Sequence, residues 1–400
     1  MAVKNNVYRP VQTVSKYFLE FVKSQQFGGI LLLACTVFSL AVSNSSFGNE
    51  YIHFWHNKFQ ITIGNKSVSS NIEFLINDGL MSIFFLLVGI EIKRELMNGE
   101  LSTRKKATLP LAAAFGGMIV PAALFSIFNA GTVAAKGWGI PMATDIAFAL
   151  GILALVGKKV PVSLKVFLTA LAVVDDLGAI VVIGLFYSSG INLMYAFFSS
   201  LIIIILLILN RLKVNHTSIY VIFGLSLWYT IHHMGIHATL SGVLLAFTLP
   251  SYEKNNMPSI VSRVEHFLHV PVNFIIMPLF ALANTCIEFS GNIFDGAPNS
   301  LIAGILIGLC VGKPIGILLF SYLTVKLKWA SLPRGIDWND LTGAGLLGGI
   351  GFTMSVFITL LAYDLPQMVN AAKITIVIAS LIASVAGFIW LKISLKRVTS

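Results

Sequence analysis

Apolar residues fill this chain in runs too long for a soluble fold, and short polar stretches cut the runs at near-regular intervals. A helix needs about 20 mostly apolar residues to cross a bilayer. On that measure twelve segments are candidates: 28–43, 74–96, 108–129, 138–156, 162–187, 192–210, 218–234, 236–250, 263–288, 300–324, 341–363 and 371–393. The weakest stretch is 218–250, which His232, His233 and Gly235 interrupt. The pattern predicts an all-α polytopic membrane protein with about twelve transmembrane helices, built as a single transmembrane domain over 1–400.

Two polar-rich segments have patterns of their own. Within 1–27, Val11, Val14, Phe18, Phe21 and Val22 recur at helical spacing, which predicts a cytoplasmic amphipathic helix on the membrane surface rather than a secretory signal. The segment 44–71 is the longest expected external loop. In it KFQITIGNKSV alternates apolar and polar residues around Gly64-Asn65, a plausible hairpin turn. Such a hairpin is either a cap over the bundle or an edge, residues 58–70, that pairs with a second subunit as a homodimer.

Composition and charge agree with the pattern. The chain is 56% hydrophobic and only 11% charged, where soluble domains carry about 25%. Of its 27 Lys and Arg residues, 21 fall in segments on the amino-terminal side of the bilayer and 4 on the other, counted over the twelve spans. That asymmetry puts both termini in the cytoplasm. It also accounts for the net charge of +10 without an acidic partner or nucleic acid. Cys35, Cys286 and Cys310 stand in apolar surroundings, with neither disulfide nor metal spacing. The histidines form no HExxH motif, so a zinc enzyme is not expected.

Ionisable residues inside spans then carry the chemistry, because the bilayer makes them expensive. LAVVDDLGAI places Asp175 and Asp176 side by side, about 100° apart around a helix. Burial and mutual repulsion favour protonation of such carboxylates, and a hard cation can take the proton's place. In GIPMATDIAFALG, Pro141 predicts an interrupted fourth span with Thr144 and Asp145 beside freed backbone groups. Thr144 reads either as a helix cap or as an ion ligand. Gly343, Gly345, Gly348, Gly349 and Gly351 predict a second interruption, in span 11, with tight helix packing as the alternative. Each broken span is the middle of three, which suggests inverted repeats, spans 3–5 and 10–12, with the two interrupted helices crossing.

Lys313 sits near the centre of its span and calls for a carboxylate partner, most simply the Asp175–Asp176 pair. Asp78 and Glu91 are 13 positions apart on span 2, about 20 Å along a helix. Glu91, Arg94 and Glu95, with Glu265 of span 9, form either a solvated ion network at a helix end or a proton-sensitive gate. His237 is either a titrating group or a hydrogen-bonded structural one.

Taken together, FFLLVGIEIKREL (84–96), PMATDIAFALG (141–151), LAVVDDLGAI (171–180), GIHATLSGV (235–243), MPLFALAN (277–284), VGKPIG (311–316) and GGIGFTMS (348–355) closely resemble the NhaA-type bacterial sodium/proton antiporters over nearly the whole chain. The resemblance implies a homodimeric, twelve-span inner-membrane transporter, not an enzyme, with no cofactor. It would export Na+ or Li+ in exchange for H+, electrogenically and under pH control. It makes Asp176 the primary ion ligand, Asp175 a second ion-binding carboxylate that pairs with Lys313 and takes part in proton exchange, and Thr144 and Asp145 the ion-binding lining of the crossing. It assigns Glu91, Arg94, Glu95, Arg263 and Glu265 to a cytoplasmic pH-responsive funnel, His237 to tuning, and Asp78 to structure. One departure concerns the pH threshold: the residue before Arg263 can be basic in the family and is Ser262 here. A channel would need a repeated filter sequence, which is absent. A sodium-coupled symporter or an intramembrane aspartyl protease remain as other classes, the protease requiring its carboxylates on separate spans.

Overall fold

The computed structural model describes residues 10–63, 66–157, 159–188, 190–252, 258–289, 294 and 296–397. The chain enters as α1 (Pro10–Ser43), turns by 116° into the short α2 (Gly48–His56), and makes a hairpin of β1 (Lys58–Ile63) and β2 (Lys66–Asn71). The strands are antiparallel in the register Lys58↔Asn71 to Ile63↔Lys66. The turn residues Gly64 and Asn65 lie outside the described residues. α3 (Ile72–Asn98) and α4 (Arg104–Asn129) follow. A 3-10 segment (Val133–Met142) then meets α5 (Ile146–Val156) at 46°. Next come α6 (Val162–Phe186), α7 (Leu193–Arg211), α8 (Thr217–Met234) and α9 (Leu240–Thr248). α10 (Ile260–Asn284) and α11 (Asn299–Lys326) precede a second bent pair, α12 (Trp338–Gly348) and α13 (Phe352–Ala362), which meet at 41°. The last helix is α14 (Pro366–Arg397).

Seven of these helices are long and apolar enough to cross a membrane, and ten spans result if each bent pair counts once. This makes the chain an all-α multi-pass membrane protein, with a single hairpin among the described residues. The two expected spans that fall short are 218–234 and 236–250. The first is α8, whose polar residues and His232-His233 lower its hydropathy. The second contains the nine-residue α9, about 14 Å long and too short to cross alone.

Three other expectations change. The external segment holds a helix, α2, besides its hairpin. The amino-terminal helix is not separated from the first span, since α1 runs unbroken from Pro10; residues 1–9 and the side chains of 10–26, which would define an amphipathic face, lie outside the described residues. Lys373, one of the 4 basic residues counted on the far side of the bilayer, is buried within α14.

Helix after helix satisfies its own backbone, as hydrocarbon demands. Large apolar side chains such as Ile127, Leu185, Leu193 and Leu225 face outward, while the buried apolar residues form a main core and a smaller one around Leu206, Tyr220 and Leu245. α4 and α11 approach most closely at Gly116 and Gly316, where a Cβ on either would run into the other's carbonyl. That contact holds Lys313 deep in the bundle.

Candidate functional site

The two broken spans meet at their breaks. Pro141 offers no amide for a helical ladder, and the chain is extended from Ala143 to Asp145 before α5 begins. Gly349, Ile350 and Gly351 separate α12 from α13, here without an extended stretch, since Gly349 and Gly351 keep right-handed helical backbone angles. Backbone groups released by each break are taken up by the other: Asp145 N donates to Ile350 O at 2.6 Å, Thr144 Oγ1 to Gly348 O at 2.9 Å, and Ser355 Oγ to Ile140 O at 2.7 Å.

Half-helix ends bring partial charges into the middle of the bundle, positive at amino ends and negative at carboxyl ends. Asp145 answers the positive ends of both α5 and α13. Its carboxylate accepts from Phe148 N at 3.0 Å, from Thr353 N at 3.2 Å and from Thr353 Oγ1 at 2.5 Å. Lys313 answers a negative end, donating to Met142 O at the last turn of the 3-10 segment. The lysine is 0% exposed and also pairs with Asp175, Nζ to Oδ2 at 2.8 Å. Thr144 Oγ1 reaches the same Asp175 oxygen at 2.7 Å.

The adjacent aspartates thus have different surroundings. Asp175 is tied to a cation and a hydroxyl. Asp176 lines a small cavity of about 20 Å³, bordered also by Glu91, Thr144, Asp145, Thr353 and Asn273, with Phe84 and Val88 among its apolar walls. That space suits an ion or a water, not an organic solute. Asp176 Oδ1 and Glu91 Oε1 are both buried, and neither has a hydrogen-bond partner among the described residues. The field at Asp176 comes from Asp175, Glu91 and Asp145 against the single positive Lys313. A site with that balance attracts a small cation. Among the described residues no group of three or more His, Cys, Asp or Glu forms a metal cluster.

The other residues singled out in the sequence fall into separate places. Glu91 faces this cavity and also feels Arg94, Glu95 and Glu265, so it links the buried site to the helix-end charges. Arg94 is ion-paired with Glu265 and lies 3.7 Å from Glu95. Arg263 points elsewhere, its guanidinium donating to Asn215. Lys93 caps α9, reaching the carbonyls of Ala246, Phe247 and Leu249 at 3.3, 2.9 and 2.5 Å. His237 is bonded through Nε2 to Tyr187 O at 2.9 Å, while the Tyr187 hydroxyl accepts from Gly139 N and donates to Lys136 O. His237 therefore touches the residue that pins the 3-10 segment, not the cavity. Asp78 lies in a π-helical turn of α3, its carbonyl accepting from Trp228 Nε1 and Ser82 Oγ.

Two cavity residues escaped the sequence reading. Thr353 follows the glycine break by two positions, where a polar side chain at a half-helix start is itself a signal. Asn273 is a lone amide in an apolar span just after Pro271.

Buried charges set against discontinuous helices inside a multi-pass bundle define an ion-translocating membrane transporter. A profile of the Na+/H+ antiporter 1 family matches residues 19–391. The Na(+)/H(+) antiporter NhaA of Cytophaga hutchinsonii is 49% identical over 384 residues, covering 96% of this chain and 97% of that protein. The NhaA of Flavobacterium psychrophilum is likewise 49% identical, covering 96% and 98%, and that of Citrobacter koseri is 44% identical, covering 96% and 100%. The chain belongs to the Na+/H+ antiporter 1 family.

Proposed function

We propose that this protein exports Na+, and also Li+, in exchange for H+, using Asp176 as the principal site of both. The observation that carries the reading is the contrast within the doublet. Asp175 is held through Oδ2 by Lys313 and Thr144, while Asp176 has no such ion pair and lines an ion-sized cavity shared with Glu91; Oδ1 of each aspartate is buried without a partner among the described residues.

Exchange follows from charge. Moving bare carboxylates through a low-dielectric barrier is costly, so the conformation that carries the site across is accessible only when a cation or protons neutralise it. Protons from outside displace sodium, the site crosses, and cytoplasmic sodium displaces protons. The Lys313–Asp175 pair supplies a second proton-binding position: a proton on Asp175 releases Lys313, and its loss restores the pair. Two protons against one sodium ion make the cycle electrogenic. The gradient drives the exchange, with no covalent chemistry and no cofactor.

Glu265, Arg94 and Glu95, reached through Glu91, act as the pH-responsive gate, and His237 tunes it through Tyr187. We further read the protein as an inner-membrane homodimer with both termini cytoplasmic, its broken spans 4 and 11 belonging to inverted repeats. Two triplets of long, broken and long helices support the repeat reading. Symport with an organic solute is disfavoured by the size of the cavity. A protease is disfavoured because Asp175 pairs with a lysine.

Everted membrane vesicles test the core of this reading. With a proton gradient imposed and followed by a pH-sensitive dye, NaCl alone should collapse the gradient in wild-type vesicles and fail to do so with Asp176→Asn. Full sodium response in the variant would remove Asp176 from the site.

A further inference from the structure

The cavity has one more polar wall that the exchange cycle leaves unused. Asn273 is 5% exposed and lines the same space as Asp176 and Glu91, and its Nδ2 has no hydrogen-bond partner among the described residues. A buried amide without a partner is unfavourable. Two acceptors and one donor, all without partners, therefore converge on one cavity.

The backbone explains why the amide points there. Asn273 lies in the π-helical turn Val272–Ile276, directly after Pro271. An extra residue in a turn re-aims side chains, and such turns recur at functional sites. The stem is also fixed from behind: a Cβ placed on Gly28 of α1 would stand 3.4 Å from Asn273 Cβ and 3.5 Å from its carbonyl oxygen. Asn273 is thus wedged between α1 and the cavity, free chiefly to turn its terminal amide.

We propose that Asn273 is an uncharged ligand of the transported cation, its amide oxygen joining the carboxylates of Asp176 and Glu91 around Na+ or Li+. With protons aboard instead, the amide turns and its N–H donates to those carboxyl oxygens. Hard cations favour carboxylate and carbonyl oxygens. A neutral carbonyl adds a ligand without adding a proton-binding group, so Asn273 acts on cation affinity and not on proton loading. This inference rests on the antiport reading and sharpens it.

Wild type, Asn273→Ala and Asn273→Asp are compared in everted vesicles over a range of NaCl and LiCl, with thermal unfolding of each purified protein as a check on folding. Asn273→Ala should raise half-saturating Na+ about tenfold, equivalent to about 1.4 kcal/mol, while the rate at saturating Na+ falls by less than half. Its Na+ to Li+ preference should change. Asn273→Asp, which keeps an oxygen at the position but adds a proton-binding group, should hold half-saturating Na+ within about threefold of wild type at a pH that keeps the new carboxyl ionised. Unchanged half-saturation in Asn273→Ala would overturn the proposal, as would a loss confined to the maximal rate. If wild type itself gives no sodium response, the antiport reading falls instead.

Discussion

Asp175 and Asp176 are neighbours and both buried, but only Asp175 is held by Lys313 and Thr144, and only Asp176 lines the cavity. Removing the cation from the Lys313–Asp175 pair leaves a buried carboxylate and the Met142 carbonyl without their partner. Breaking such a pair from one side costs about 3–5 kcal/mol. Lys313→Ala should accordingly lower the thermal unfolding midpoint of purified protein, and adding Asp175→Asn should recover much of the loss, because the stranded charge is then gone. A double variant no more stable than the single one would mean that Lys313 serves the Met142 carbonyl alone. The doublet and Lys313 were legible as chemistry in the sequence because charge is so rare in these spans. Which aspartate faces a cavity was not legible: adjacent residues diverge by 100° on any helix, and only the packing of α3, α10 and the two breaks decides which direction is open. Asn273 was hidden for a different reason. A neutral amide in an apolar run carries no electrostatic signal, and its significance depends on lacking a partner, which only the folded chain defines.

At the scale of elements, the breaks matter more than the helices. Asp145 is the group that lets α5 and α13 begin side by side, since it accepts from the backbone amides of both. Asp145→Ala takes the acceptor from three buried donors, the two backbone amides and the Thr353 hydroxyl, at about 1–3 kcal/mol for each left unpaired. It should therefore destabilise the protein and distort the neighbouring cavity, seen as a lower unfolding midpoint together with weakened sodium response. Thr353→Val, which removes only the hydroxyl at 2.5 Å and leaves the backbone donor in place, should have the smaller effect on both. Equal effects would indicate that the hydroxyl and not the two helix ends carries the interaction. The first break was readable from a proline without an amide, the second only in part from its glycines: Gly349 and Gly351 lie at the break, while Gly343, Gly345 and Gly348 stay inside α12, Gly343 against Leu391 as tight helix packing requires. The π turns at Leu75–Leu80, Val272–Ile276 and Gly308–Gly312 were not. A single inserted residue shifts the apolar stripe by too little to show in a run that is apolar on every side. The sharp turn into α2 escaped for want of length, since GNEYIHFWH is shorter than any span template.

Across the whole molecule, the cavity proposed as the ion site and the charges at the helix ends are joined through α3, which brings Glu91 to the cavity and Arg94 to Glu265. Glu265→Gln removes the titrating partner of Arg94 and leaves the cavity lining intact. It should shift the pH at which sodium-dependent exchange switches on by more than it changes the maximal rate. An unshifted profile would take the Arg94–Glu265 pair out of the gate.

The hairpin poses the remaining question at this scale. β1 pairs only with β2 among the described strands, so each has an outer edge with unpaired amides and carbonyls. A lone two-stranded hairpin is marginal in water, and an open edge invites another strand. A second copy brought up by a two-fold axis would meet that edge with its own and close a four-stranded sheet, the self-complementary arrangement that symmetric dimers use. None of the cavity residues lies on the hairpin, so association and ion exchange should separate. Replacing 58–71 by a short Gly-Ser connection should shift the purified protein from dimer to monomer in native mass spectrometry, while vesicles carrying it retain the sodium response per chain. A dimer that survives the replacement would place the contact elsewhere on the bundle; a monomer without sodium response would mean that the second copy stabilises the ion site itself.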